Sequence, residues 1–258
     1  MSDDLKNASF EADGIEIARQ LLPQCTLQRT RFDLLEVVRI LTGQSYADLD
    51  TAWRDIRATD RAMGSLLYSA GKLAPAVHAL AAHESVLGEL SRFGLIAPAI
   101  VDVNFRVDSK GEEKFLFDWH QDYWFSVSSR KAVVAWIPLM DVDRSTGGVE
   151  LISTRYTKGK IFKARRGERY DSYADGAILD EELPECTPMR ETMRAGDVLF
   201  FSFDIMHRSL PVLSESRSRW TVQVRFADFA DREFLQRSYR PASVSKDDTP
   251  YLRNEPIV

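Results

Sequence analysis

The spacing of apolar residues changes once along the chain. Before about residue 97 it is helical. Leu49, Trp53, Ile56, Met63 and Leu66 recur near a 3.6-residue period and predict a helix from Asp48 to Leu67, with Asp48 or Asp50 as its cap. Val77, Leu80, Leu87 and Leu90 form one stripe and predict a helix over Ala74 to Leu95. Phe32 to Leu41 reads as a third, ended by Gly43, and Ile15 to Leu22 as a short fourth, stopped by Pro23. After Pro98 the runs become short, β-branched and aromatic. Ala99 to Phe105, Phe115 to Phe117, Ala132 to Ile137, Val149 to Ile152, Lys160 to Phe162, Val198 to Phe203 and Trp220 to Phe226 predict strands of a sandwich or barrel. The polar stretch from Ala164 to Arg190 reads as a long loop over it. No linker parts the two textures, so the expectation is one α+β domain over 1–258. In it, 1–97 is mainly helical support packed on one outer face, 98–230 the barrel core and 231–258 an irregular tail.

Composition narrows the function. The 258 residues are 44% hydrophobic and 10% aromatic, enough for a substantial core. A net charge of −5 argues against nucleic acid as a partner, which needs a broad basic surface. Cys25 and Cys186 form no C-x-x-C pattern, so zinc-finger and thioredoxin chemistry find no support and a reducing cytoplasm is the simplest setting. No basic-then-apolar leader is visible at the start, and no window approaches about 18 consecutive apolar residues, so no membrane association is expected.

The chemistry-bearing residues are few. Asp118-Trp119-His120-Gln121-Asp122 contains an H-x-D step, and His207 follows a strongly apolar run. On a strand, residues two apart share a face, so His120 and Asp122 are expected to project together while Gln121 points away. Two imidazoles and a carboxylate hold one face of an Fe(II) octahedron and leave the other face to a co-substrate and O2. A lone H-x-D is a weak signal. Of the other two histidines, His78 and His83 are five apart on a predicted helix, off a common face, and read as surface or packing residues.

Twelve residues beyond His207, Arg219 opens a strand of two faces. Trp220, Val222, Val224 and Phe226 are apolar; Arg219, Thr221, Gln223 and Arg225 are polar. Such alternation faces either water or a polar pocket. In a pocket, Arg219 makes a bidentate pair with a carboxylate and Thr221 adds a hydroxyl, which is what the far end of 2-oxoglutarate requires. Arg217 has the same parity and is a competing anchor in the preceding turn.

Trp119 to Asp122, Ala135-Trp136-Ile137-Pro138-Leu139 with Asp141, Gly147-Gly148, Gly196-Asp197-Val198-Leu199-Phe200-Phe201, His207-Arg208-Ser209 and Arg219 together resemble the phytanoyl-CoA dioxygenase family. The likeness runs from about Asn104 to Ala227. It implies a double-stranded β-helix (a jelly-roll, cupin-like barrel), Fe(II) held by His120, Asp122 and His207, 2-oxoglutarate anchored by Arg219, and an oxidative reaction with O2. Ile152-Ser153-Thr154-Arg155-Tyr156 departs from the Pro-Gly-Ser-His common at that place in the family, so the substrate does not carry over. Halogenating relatives lack the carboxylate, so Asp122 favours hydroxylation.

Trp124 shares the parity of His120 and Asp122, and either lines the pocket or fills the core. Arg225 either meets an anionic group of the substrate or is a solvated strand arginine. Lys158, Lys160, Lys163, Arg165, Arg166 and Arg169 form a basic run that is either a second anion contact or a solvated face. If both basic features contribute, the partner is a small anionic metabolite; oligomeric state is not legible. Two other readings stand beside the hydroxylase: a cupin-like metal-dependent isomerase or hydrolase without 2-oxoglutarate, and a non-catalytic jelly-roll binding protein.

Overall fold

A computed structural model of the chain describes residues 10–59, 61–113, 116–124, 129–162, 165–166, 175–178 and 180–239. Among the described residues, the early part of the chain carries the helices α1 (Gln24–Thr42), α2 (Leu49–Thr59), α3 (Arg61–Leu73), α4 (Pro75–Ala81) and α5 (Glu84–Arg92). The helix ended by Gly43 starts at Gln24 rather than Phe32, and Gly43 takes a left-handed φ of 72° that closes it. Each of the two longer expected helices is divided. Asp48 caps the first half of one, its Oδ1 accepting from Thr51 N at 2.7 Å. The other breaks where His83 becomes the N-cap of α5, its ring accepting from Ser85 N. His78 stays exposed, its Nε2 2.7 Å from Lys72 O.

Among the described residues, the strands form three antiparallel sheets. The largest has the order β1 (Ile15–Ala18), β8 (Val198–Ser202), β3 (Val133–Pro138), β10 (Arg219–Asp228), β2 (Pro98–Asp108). The second has the order β7 (Met189–Arg190), β4 (Val149–Ile152), β9 (Met206–Ser209); β5 (Arg165–Arg166) and β6 (Asp175–Ala177) pair separately. Ile15 to Ala18 is thus a strand and not the start of a helix. Ile15 and Ala18 are both buried, and the segment lies against Phe201 to Val198 of β8. Asp197 holds the chain there, accepting from Gln20 N and Arg194 N and pairing with Arg19. Two other expected strands are absent: Leu116 and Phe117 are irregular, as are Lys160 to Phe162; Phe115 lies outside the described residues.

Two cores follow from strand alternation. Trp220, Val222, Val224 and Phe226 of β10, with Phe105, Val107, Ala135, Ile137 and Phe200, pack against Leu34, Val38, Trp53, Leu67 and Leu80 from the helices. The helices therefore cover the outer face of the large sheet, as the sequence leads one to expect. On the other face, Trp136, Leu199 and Phe201 meet Leu151, Val149 and Met189 of the smaller sheet. This is a jelly roll, two sheets face to face around an interior. In the smaller sheet Glu150 is buried between its cross-strand neighbours Arg190 and Arg208 and pairs with both. No helix among the described residues is long and apolar enough to cross a membrane.

Candidate metal centre

His120 and His207 lie directly opposite each other. Each backbone N–H donates to the other's carbonyl, at 3.0 and 2.9 Å, so a single antiparallel bridge joins the H-x-D segment to β9. Their rings approach to 4.1 Å between centroids. Asp122 is not the next-but-one residue of a strand. It opens a 3-10 turn, Asp122–Trp124, and the turn rather than strand alternation brings its carboxylate round, Oδ1 lying 3.8 Å from His120 Nε2. The shared face is reached, by different geometry. Gln121 points away and locks the turn: its amide donates to Lys160 O and Asp204 O, and its oxygen accepts from Phe162 N. One candidate ligand atom from each of His120, Asp122 and His207 lies within 4.8 Å of the other two, and all three residues are buried.

The protonation states suit a cation. His120 Nδ1 is 2.6 Å from Asp118 O, and His207 Nδ1 is 3.1 Å from Ile205 O. A carbonyl accepts only, so each Nδ1 carries the proton and each Nε2 presents a lone pair. Burial pushes His207 down to about 3, with His120 adding to the effect, and burial lowers His120 too, so both rings are neutral. Burial alone would raise Asp122; the neighbouring Arg225, joined by the two imidazoles once acid protonates them, outweighs it and holds the carboxyl at about 2.

The polar face of β10 turns into the barrel and not to water, which settles the alternation left open above. It forms a ladder with β2: Arg219 opposite Asp108, Thr221 opposite Arg106, Gln223 opposite Asn104, Arg225 opposite Asp102. Arg219 is 2% exposed, and its Nε and Nη2 both donate to Asp108 Oδ2. Its Nη1 donates to Thr146 O, Gly148 O and Leu210 O. The guanidinium edge expected to grip a co-substrate carboxylate is therefore already on Asp108, which Arg106 also holds at 2.8 Å. Thr221 Oγ1 is buried without a hydrogen-bond partner. A hydroxyl left this way beside two guanidinium groups fits an incoming carboxylate.

Arg225, Arg217 and Trp124 complete the set of candidate residues. Arg225 donates to Asp122 and Asp102 and is not presented to a substrate anion. Arg217, the rival anchor, is tied to Asp143 and to Asp141 O in the turn after β3. Trp124 closes the 3-10 turn, and its side chain lies outside the described residues, as do those of Lys163, Arg165, Arg166 and Arg169. Arg106 and Asp108 were missed because the strand was ended at Phe105. Their signal is the same as that of β10: Phe105 and Val107 apolar, Asn104, Arg106 and Asp108 polar.

A family model for phytanoyl-CoA dioxygenase matches residues 10–220. Over 110 residues the chain is 32% identical to 1-deoxypentalenic acid 11-beta-hydroxylase from Streptomyces arenae, a match spanning 40% of this chain and 37% of that protein. Among solved structures it is similar to the non-haem alpha-ketoglutarate-dependent carbocyclase SnoK from nogalamycin biosynthesis, with a TM-score of 0.62 at 16% identity over 99% of this chain and 92% of that one. It is also similar to the epimerase SnoN in complex with Fe3+, alpha-ketoglutarate and nogalamycin RO (TM-score 0.58, 14% identity, 99% and 91% covered). HygX from Streptomyces hygroscopicus, with nickel and 2-oxoglutarate bound, gives a TM-score of 0.56 at 14% identity over 89% and 88%. At these identities the structural likenesses show the jelly-roll fold.

Proposed function

The chain belongs to the phytanoyl-CoA dioxygenase family, and on that premise we propose that it is a non-haem oxygenase that uses Fe(II), 2-oxoglutarate and O2 to hydroxylate a small-molecule substrate. One observation carries the reading. Two neutral imidazoles and an ionised carboxylate converge in a buried cluster, each imidazole oriented by a backbone carbonyl. His120, Asp122 and His207 are the proposed iron ligands.

When bound, iron with its co-substrate and O2 supplies the oxidising power that breaks a substrate C–H bond, while 2-oxoglutarate leaves as succinate and carbon dioxide. The chain's own residues place and shield. Arg219 is the proposed anchor for the far carboxylate of 2-oxoglutarate, through the Nη2 hydrogen that Asp108 does not take, and Thr221 donates its hydroxyl beside it. Arg106, across from Thr221, adds positive potential at the same place. Trp136, Leu199 and Phe201 wall the interior with apolar surface and keep water from it. Hydroxylation is the proposed outcome because Asp122 fills the position a halide would need, and because the matched Streptomyces arenae protein is named a hydroxylase. Arg225 is already neutralised by two carboxylates, so it lends no support to an anionic substrate, and the proposed substrate is a small metabolite of no assigned charge.

Anaerobic addition of Fe(II) and 2-oxoglutarate is expected to give a weak visible charge-transfer band. Alanine at His120, Asp122 or His207 is expected to remove it. Admitting air with a metabolite panel should then release succinate and a product one oxygen heavier. A folded protein that binds no Fe(II) and yields no succinate overturns the reading; a product of unchanged mass overturns only hydroxylation.

A further inference from the structure

The pair formed by Arg225 and Asp122 is unequal in a way that bears on the metal. Arg225 Nε lies 3.0 Å from Asp122 Oδ2, while Nη2 lies 3.4 Å from Oδ1. Oδ1 is also the oxygen that faces His120 Nε2, at 3.8 Å. Oδ2 thus takes the shorter of the two guanidinium contacts, while Oδ1 takes the longer one and also faces His120 Nε2. Behind it, Arg225 Nη1 lies 3.1 Å from Asp102 Oδ2, its cross-strand neighbour. Side-chain exposure falls from 45% at Asp102 to 13% at Arg225 and 3% at Asp122, so the three form a row from the surface to the centre.

A carboxylate free to rotate ligates through either oxygen or both. A planar fork with two N–H groups on it fixes its plane, which an ammonium does not. A cation beside a divalent metal also repels it, and an acidic partner offsets that repulsion. We propose that Arg225 is a positioning residue that fixes Asp122 as a ligand through Oδ1 alone, and that Asp102 cancels the charge this brings to the centre. The proposal rests on the metal-centre reading above.

The test titrates Co(II) alone into the wild type, Arg225→Lys, Arg225→Gln and Asp102→Asn, by calorimetry and by the visible ligand-field bands, with thermal melting alongside. The wild type is expected to bind one Co(II). Arg225→Gln should bind about 10- to 100-fold more weakly, the usual cost of losing an outer-sphere partner. Arg225→Lys keeps the buried charge, so it folds, and should recover only part of the affinity, with its bands still shifted. Asp102→Asn should weaken binding a few-fold at low salt with bands unmoved. If Arg225→Gln fails to fold, Arg225→Lys decides alone. Affinity and bands like the wild type in the folded Arg225 variants overturn the positioning role, even if their melting temperatures fall. Unchanged affinity in Asp102→Asn overturns the charge compensation. A wild type that takes up no Co(II) overturns the metal centre itself.

Discussion

A buried hydroxyl with no partner is costly, and Thr221 keeps one near the start of β10. Valine has the same shape without the oxygen. Thr221→Val is therefore expected to leave stability unchanged or raise it by about 1 kcal/mol, while weakening 2-oxoglutarate binding about tenfold, the worth of one hydrogen bond to a charged group. Chemical denaturation and a co-substrate titration give the two numbers. Their opposite signs are the content of the prediction, and unaltered 2-oxoglutarate affinity would remove Thr221 from the site. Gly147 behaves otherwise. Its φ is +64°, and a Cβ there would stand 2.4 Å from Pro211 O and 2.9 Å from Arg219 Nη1. Gly147→Ala should lose about 1–3 kcal/mol from strain and overpacking and raise the KM for 2-oxoglutarate through the displaced guanidinium. A melt and initial rates test it; a lower melting temperature with an unmoved KM would separate Gly147 from the anchor.

At the scale of elements, helix α3 lies so close on β2 that one methyl decides between two effects. Alanine favours a helix over glycine by about 1 kcal/mol. At Gly71, however, the added Cβ would sit 2.3 Å from the fully buried Phe105 ring, whereas at Gly64 it would meet Trp53 at an ordinary 3.4 Å. Gly71→Ala should therefore lose about 1–2 kcal/mol, since overpacking outweighs propensity, and Gly64→Ala should gain up to about 1 kcal/mol. Urea midpoints of the two variants falling on the same side of the wild type would contradict this account of the helix–sheet contact. The same contact explains what was legible beforehand. Trp220, Val222, Val224 and Phe226 declare a face by strict alternation, and that face is the one the helices cover. Ile15 to Ala18 declares nothing so plainly: four residues are too short for a period, and the strand exists because β8 pairs with it. That His120, Asp122 and His207 come together is readable from residue types and spacing, but strand alternation is not what brings them together. A 3-10 turn, set by the bonds Gln121 makes to Lys160, Phe162 and Asp204, is a tertiary outcome that no local pattern announces. The partners of Arg219 and Arg225 were hidden for the same reason, because Asp108 and Asp102 lie more than a hundred residues away.

For the molecule as a whole, buried carboxylates tie distant segments together, and they set its response to acid. Burial would raise Asp108, but Arg106 and Arg219 outweigh it and hold the carboxyl below its ordinary range. Asp228 at the end of β10 is 0% exposed. Its oxygens accept from Ile96 N, Ala97 N and Ala230 N, and these bonds outweigh burial and lower it as well. In both cases the unfolded chain takes up its proton first as pH falls. The stability each carboxylate contributes is then complete above the unfolded value of about 4 and is lost as pH drops from there through the lower folded value. The unfolded chain also protonates His207 and His120 before the folded one does, so the protein is expected to lose unfolding free energy from about pH 6.5 downward and to lose it more steeply below about pH 4, where the carboxylates add to the loss. Asp228→Asn tests the assignment, because it keeps the shape and removes the charge. At neutral pH it should cost about 1–3 kcal/mol, the range for bonds to a charged acceptor and for a buried group left badly paired. That deficit should shrink as the wild-type carboxylate becomes protonated, so urea midpoints of the two proteins converge between neutrality and pH 3. A gap that stays constant over the whole range would mean that Asp228 contributes shape and not charge, and that other carboxylates govern the acid transition.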